Sequence, residues 1–225
     1  MSVDLNFNHL LYLLQGATWT LGLSVIAFVG GGVLGLIVAL CRVSPSFTVR
    51  LATTGYVQLI QGTPLLVIMF MTFFGLPAIG WNISSLAAAG LSLTIYVSAY
   101  LGEIWRGCIE SVPRPQWEAA ESLALTKSQR MRLVVLPQAL RIATPPTVGF
   151  MVQIVKNTSL ASVVGFVELA RSGQIINNSI FAPFLVYLII AVIYFSMCYP
   201  LSRLSQRLEL RSTFSPQQKT VPAYL

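Results

Sequence analysis

Residues 19–41, WTLGLSVIAFVGGGVLGLIVALC from Trp19 to Cys41, contain no charged side chain. The hydrocarbon core of a bilayer is about 30 Å thick and takes roughly 20 helical residues to cross, so this run is long enough to span it. The whole chain has the same character: of its 225 residues, 55% are apolar and 9% charged, against roughly 25% charged in a soluble domain. The mean hydropathy is +0.74. Gly30, Gly31, Gly32 and Gly35 let a second helix approach closely. Gly31 and Gly35 form a G-x-x-x-G pair, which is read as internal packing rather than a dimer contact.

Beyond Arg42, Pro45 and Arg50 a second apolar segment runs from about Ala52 to Leu76, interrupted at Gln61-Gly62-Thr63-Pro64. Pro64 removes a backbone donor and is expected to kink this helix. A third span covers about Leu86 to Cys108. A polar loop at about 109–132 follows and holds a third of the charged residues. The fourth stretch, about Leu133 to Val155, contains Pro137, Pro145 and Pro146 and is expected to break at Lys156-Asn157-Thr158-Ser159, irregular backbone that a membrane tolerates only when buried or lining a cavity. The fifth, about Phe184 to Leu204, ends among Arg203, Arg207 and Arg211. These segments predict an all-α integral membrane protein of five transmembrane helices, one domain over 1–211, and a disordered cytoplasmic tail over 212–225.

Orientation comes from the basic residues. Arg42, Arg50, Arg106, Arg114, Lys127, Arg130, Arg132, Arg141, Arg203, Arg207, Arg211 and Lys219 fall on one side of the five-span arrangement, and only Lys156 and Arg171 on the other. The positive-inside rule assigns the first group to the cytoplasm, so the N-terminus is expected outside and the C-terminus inside. The net charge of +7 therefore marks topology, and no nucleic-acid partner is expected. Met1 to Gln15 has Asp4 and no Lys or Arg, so it is expected to stay in the mature chain. Cys41, Cys108 and Cys198 lack C-x-x-C spacing and read as reduced packing residues. His9 reads as an interfacial residue, and no cluster around it has metal-ligand character. There is no G-x-x-x-x-G-K-[ST] run to cradle phosphates, so any ATP chemistry must belong to a partner.

The polar loop reads Gln116-Trp117-Glu118-Ala119-Ala120-Glu121-Ser122-Leu123-Ala124, and twelve residues after Ala124 come Leu136 and Pro137. Pro113 and Pro115 permit a helix start, and Trp117 to Leu125 suits a short amphipathic helix able to lie in a groove of another protein. This arrangement resembles the EAA loop, E-A-A-x3-G-x9-I-x-L-P, of permease subunits of bacterial ABC importers. Glu118, Ala119, Ala120, Leu136 and Pro137 match in place, Val134 stands for Ile, and Ala124 replaces the usual Gly. Gly62-Thr63-Pro64-Leu65-Leu66, the block from Ala99 to Gly107, the block from Leu136 to Arg141, and Lys156-Asn157-Thr158-Ser159-Leu160 resemble the polar amino acid permease subfamily, in its order.

The resemblance covers about Trp19 to Glu209. It implies the type I importer fold in the bacterial inner membrane, and a non-catalytic permease subunit that translocates polar amino acids. The implied partners are a second permease subunit, of the same or a sister chain, two cytoplasmic ATPase subunits that bind ATP and Mg, and an extracytoplasmic solute-binding protein. Trp117, Glu118, Ala119, Ala120 and Ala124 would then couple to the ATPase, the two alanines giving close approach and Glu118 a charge partner. If the family glycine has positive φ, Ala124 costs about 1 kcal/mol there or the turn is rebuilt.

Ionisable groups inside a bilayer cost about 2.5 to 3.5 kcal/mol at a helix centre on insertion scales. Glu103 and Lys156 are the two candidates read from the sequence. Tyr96, Tyr100 and Glu103 recur at helical spacing with Ala99 and Gly107, a face able to line a site for an α-amino acid. Glu103 equally reads as an interfacial carboxylate paired with Arg106. Lys156 reads either as a side chain snorkelling to the outer interface or, with Asn157, Thr158 and Ser159, as part of a cavity where polar backbone meets charged substrate groups. Family members often carry Asp where this chain has Asn157, so a preference for neutral or acidic over dibasic amino acids is expected. An ion-coupled secondary transporter is the rival reading. It would need inverted repeats or coupling carboxylates, which five spans and two intramembrane charges fit poorly.

Overall fold

The computed structural model describes residues 6–213, with side chains described through Leu210. The described residues form helices and connecting turns, with no strand. Helix α1, Phe7–Arg42, starts in a capping box: Asn6 accepts from the His9 backbone N–H at 3.1 Å while the Asn6 N–H donates to His9 Nδ1 at 3.3 Å. His9 therefore closes a helix end, a more specific role than the interfacial one read from sequence. At 36 residues α1 is about 54 Å long and exceeds the bilayer core. Its first turns pack elsewhere in the protein, with Leu13 and Ala17 joining a cluster of Leu169, Ile176, Ile180, Val186 and Ile190.

Helix α5, Ser85–Glu110, lies beside α1 and runs in the same direction. The crossing depends on small residues. Gly31 faces Thr94 and Val97, Gly35 faces Ser98 and Leu101, and Gly102 faces Val38, where a Cβ would lie 2.6 Å from Val38 Cγ1. These glycines thus pack within the chain, as read. The α1 faces left outside, including Val25, Val29, Val33 and Ile37, are exposed and apolar, as lipid contact requires.

Helix α2, Phe47–Gly62, is followed by α3, Leu65–Phe70, and by a widened turn, Met71–Gly75, leading into α4, Leu76–Ala78. Instead of the expected kink, α2 and the Leu65–Ala78 segment meet at 101°. Pro64 drives Thr63 out of the helical region, to φ −106° and ψ 128°, because its ring crowds the preceding residue. The short α6, Arg114–Ser122, and α7, Lys127–Gln129, come next. A second widened turn, Arg130–Val135, then opens into α8, Leu136–Asn157. In both widened turns a proline follows two residues after the turn, Pro77 and Pro137. A proline ring collides with the carbonyl four residues back, and a wide turn makes room for it.

At the Lys156 to Ser159 run the chain stays helical where a break was expected. It tightens into a 3₁₀ segment, Thr158–Val164, and leaves it at Gly165 with φ +83°. The turn from there into α9, Leu169–Ile180, bends the path by 51°. Helix α10, Pro183–Thr213, runs antiparallel to α8, with Ser205 Oγ donating to the Pro145 carbonyl at 2.9 Å. Three helices, α1, α5 and α10, are individually long and apolar enough to cross a membrane, and the two bent pairs bring the number to five. Residues Ser212 and Thr213 of the expected tail are in α10, and the remainder of that tail lies outside the described residues.

Candidate functional site

Two regions gather the residues singled out above. The first is α6, nine residues long, whose two faces differ. Trp117 points inward and donates from Nε1 to the Val112 carbonyl at 3.2 Å. It packs with Ile109, Val112, Val135 and Ala139. Ala120 is 2% exposed against the same chain, so it supports α6 from within rather than offering close approach to a partner. Gln138 Nε2 on α8 donates to Gln116 Oε1 at 3.3 Å. Glu121 pairs with Arg130 at 3.0 Å. Outward face Glu118, Ala119 and Ser122, then Leu123, which is 75% exposed. Leu123 was not among the sequence candidates, although it stands inside the quoted motif.

The helix ends as a Schellman turn: Leu125 N–H donates to the Ala120 carbonyl at 3.2 Å and Ala124 N–H to the Glu121 carbonyl at 2.9 Å. Ala124 adopts φ +55°, so the turn is kept and the strain accepted. Because L-residues are disfavoured there by about 1 kcal/mol or slightly more, Ala124→Gly should raise unfolding stability in detergent by about that amount. Thermal or denaturant melts check this, and a less stable variant would mean that the left-handed turn is not formed in solution.

The second region lies between α5 and α8. Trp105 Nε1 donates to Thr147 Oγ1 at 2.9 Å. The ring of Tyr100 stacks on Phe150 at 5.6 Å and lies 4.4 Å from that of Tyr96. Tyr96 also meets the Asn157 side chain, and Gln153 Nε2 donates to Asn157 Oδ1 at 3.2 Å. Tyr96, Tyr100 and Asn157 are therefore brought together. Lys156 is exposed on a different side of the helix and sits near Cys198. Thr158 and Ser159 return their hydroxyls to the Val155 and Lys156 carbonyls, at 2.8 and 2.7 Å. Adjacent helical residues point about 100° apart, which separates Lys156 from Asn157.

Glu103 shares the Tyr96 and Tyr100 helix but is already paired. Arg106 reaches its Oε1 at 2.6 Å and Arg42 its Oε2 at 2.9 Å. Arg106 also pairs with Glu110, and Arg42 bonds Thr54 of α2. The carboxylate thus ties the end of α1 to α5 and, through Arg42, to the middle of α2. Pairing with Arg106 is readable from the sequence; Arg42, 61 positions away, is not.

A third ionisable group has to be added to the two read from the sequence. Glu168 is fully buried, caps α9 by accepting from the Arg171 backbone N–H at 2.9 Å, and accepts from Thr20 and Tyr194 hydroxyls. The surrounding sequence held a signal for it: Leu169, Ser172, Gly173, Ile176 and Ile180 mark one face of an amphipathic helix behind an acidic cap.

A model of the family described as binding-protein-dependent transport system inner membrane component matches residues 31–213. The chain is 39% identical over 210 residues to the probable glutamine ABC transporter permease protein GlnP of Bacillus subtilis, covering 91% of this chain and 95% of that protein. Against the L-cystine transport system permease protein TcyB of Bacillus subtilis, identity is 36% over 197 residues, covering 87% and 84%. A solved amino acid ABC transporter with histidines shares the fold at TM-score 0.86 and 34% identity, over 93% of this chain and all of that one.

Proposed function

Since the chain belongs to the family of binding-protein-dependent transport system inner membrane components, we propose that it is the membrane-spanning half-channel of an importer that passes zwitterionic amino acids inward. It is a permease of an ATP-driven importer in the bacterial inner membrane, and it acts with ATPase subunits and a second permease. We assign hydrolysis, with its ATP and Mg, to two ATPase partners, and delivery of solute to an extracytoplasmic binding protein. The second permease is the same chain or a sister chain. In this reading the N-terminus is outside and α6 is inside, in a segment that carries Arg114, Lys127, Arg130 and Arg132.

One observation carries the ATP-driven reading: α6 packs on the ends of α5 and α8 through Trp117, with Ala120 buried beneath it, and leaves Glu118, Ala119, Leu123 and Ala124 uncovered. An ion-coupled carrier has no use for such a knob, whereas an ATPase groove does. The test is purification in mild detergent followed by mass spectrometry of the complex. Recovery of an ATPase with this chain supports the reading; recovery without one, together with uptake driven by an ion gradient alone, refutes it.

We assign Tyr96, Tyr100 and Asn157 to the translocation path. Glutamine and cystine appear in the names of the two relatives, and histidines in that of the solved transporter. The part common to these molecules is the α-ammonium and α-carboxylate pair. Hydroxyl and amide groups suit it without adding net charge, so neutral and acidic polar amino acids are favoured over dibasic ones. Asn157→Asp adds a carboxylate beside Tyr96 and should shift uptake towards arginine and lysine in proteoliposomes with the binding protein held constant. An unaltered preference would remove Asn157 from the path. Glu103 we place outside it, as the clasp between α1, α2 and α5, and Lys156 at the outer interface.

A further inference from the structure

Glu168 has more partners than a helix cap requires. One carboxylate oxygen, Oε1, caps α9 through the Arg171 N–H. The other, Oε2, accepts from Thr20 on α1 at 3.2 Å and from Tyr194 on α10 at 2.8 Å. Thr20 Oγ1 in turn accepts from the Leu169 N–H at 3.2 Å. Among the described residues no Lys or Arg forms an ion pair with Glu168, and the nearby Arg171 guanidinium binds Gln174 instead, at 3.0 Å. A carboxyl group is buried only where donors meet its oxygens, and here they come from three helices.

The cluster also adjoins the path. Tyr194 meets Thr158, while the preceding residue, Asn157, meets Tyr96. Neighbouring residues of one helical turn thus meet Tyr96 on one side and Tyr194, the partner of the carboxylate, on the other. Beyond them Gly165, at φ +83°, turns the chain into α9. A small residue, Gly173, lets α9 lie against Ile190 and Val186 of α10, and Gly16 does the same for α1 at Leu169 and Ser172.

Resting on the importer reading above, we propose that Glu168 is a positioning residue for transport: it clamps the start of α9 to α1 and α10, so that a solute engaging Asn157 moves α9 with the 3₁₀ turn. Freed from the clamp, α9 no longer follows the path, and ATP is hydrolysed without a matching movement of solute. Tyr194→Phe removes a single hydroxyl and leaves the cap intact. Glu168→Gln retains a capping oxygen but cannot accept as Glu168 does from both hydroxyls. Thr20→Ser keeps its hydroxyl and serves as the conservative control.

The experiment uses the assembled complex in proteoliposomes with its binding protein and L-glutamine as the probe. It measures solute taken up per ATP hydrolysed and the thermal midpoint of each complex. Tyr194→Phe and Glu168→Gln should lower that ratio by about threefold to tenfold, the range one buried hydrogen bond covers, with Thr20→Ser near the wild-type value. A merely structural role would lower the midpoint or the yield and leave the ratio of the surviving complexes unchanged, and that result overturns the proposal. If Glu168→Gln does not assemble, Tyr194→Phe decides. Wild-type complexes that take up neither L-glutamine nor any other amino acid would overturn the importer reading, and the clamp with it.

Discussion

Glu118→Lys should abolish uptake while leaving the protein in the membrane. Glu118 is exposed on the outward face of α6, and its side chain has no hydrogen bond or ion pair among the described residues, so insertion and yield should match wild type. In the proposed complex it faces the ATPase, and reversal of its charge replaces an attraction by a repulsion. A close charge pair across an interface is worth about 2–5 kcal/mol when one partner is lost, so transport should fall at least tenfold and solute-stimulated ATP hydrolysis with it. Leu123→Ala, beside it, should weaken docking through lost apolar contact. Near-normal solute-stimulated hydrolysis by Glu118→Lys would sink the docking role.

Gly31→Leu should prevent the fold from assembling. A Cβ at Gly31 already overlaps Val97 on α5, and three further carbons have no space. Excess volume in a packed interior costs about 1–3 kcal/mol for each misfit of a methylene or so, and here α1 would have to retreat from α5 along the whole Gly31, Gly35 and Gly102 line. Gly22→Leu is the matched control, since nothing lies within 4 Å of a Cβ at Gly22. Monodisperse protein on size-exclusion chromatography should be nearly lost for Gly31→Leu and retained for Gly22→Leu. Equal yields would mean that the α1 and α5 contact does not limit assembly.

The parts of this molecule that could be read in advance are those governed by local rules. The apolar runs placed α1, α5 and α10, and Pro64 placed the interruption between α2 and α3, whereas the break expected at Lys156 to Ser159 falls instead at Gly165. The spacing of Tyr96, Tyr100 and Glu103 put them on one helix. What escaped depended on distant partners or on mixed composition. The segment Glu168–Ile180 contains Arg171, Gln174, Asn177 and Asn178, too polar to register as a span, so both α9 and the buried Glu168 were passed over. Glu103 was open between two readings because Arg42 lies 61 positions away. At Pro64 the prohibition on helix was evident, but the 101° angle is set by how α3 packs on α5, with Leu65 and Met69 in the central core. Ala120 was expected to face a partner and instead faces inward, because the inward stripe of a nine-residue helix is chosen by Trp117.

The bond from Gln138 to Gln116 and the shared core beneath Trp117 fasten α6 to the first turn of α8. Helix α8 is 22 residues long, about 33 Å from end to end with Pro145 and Pro146 in its middle, and Asn157 is its last residue. A lever of that length turns a tilt of about 10° at the ATPase end into roughly 6 Å of travel at the other. That displacement is comparable with the width of an amino acid backbone. In the proposed complex, a small rocking stroke of the ATPase on α6 acts by leverage on what the far end of α8 can hold.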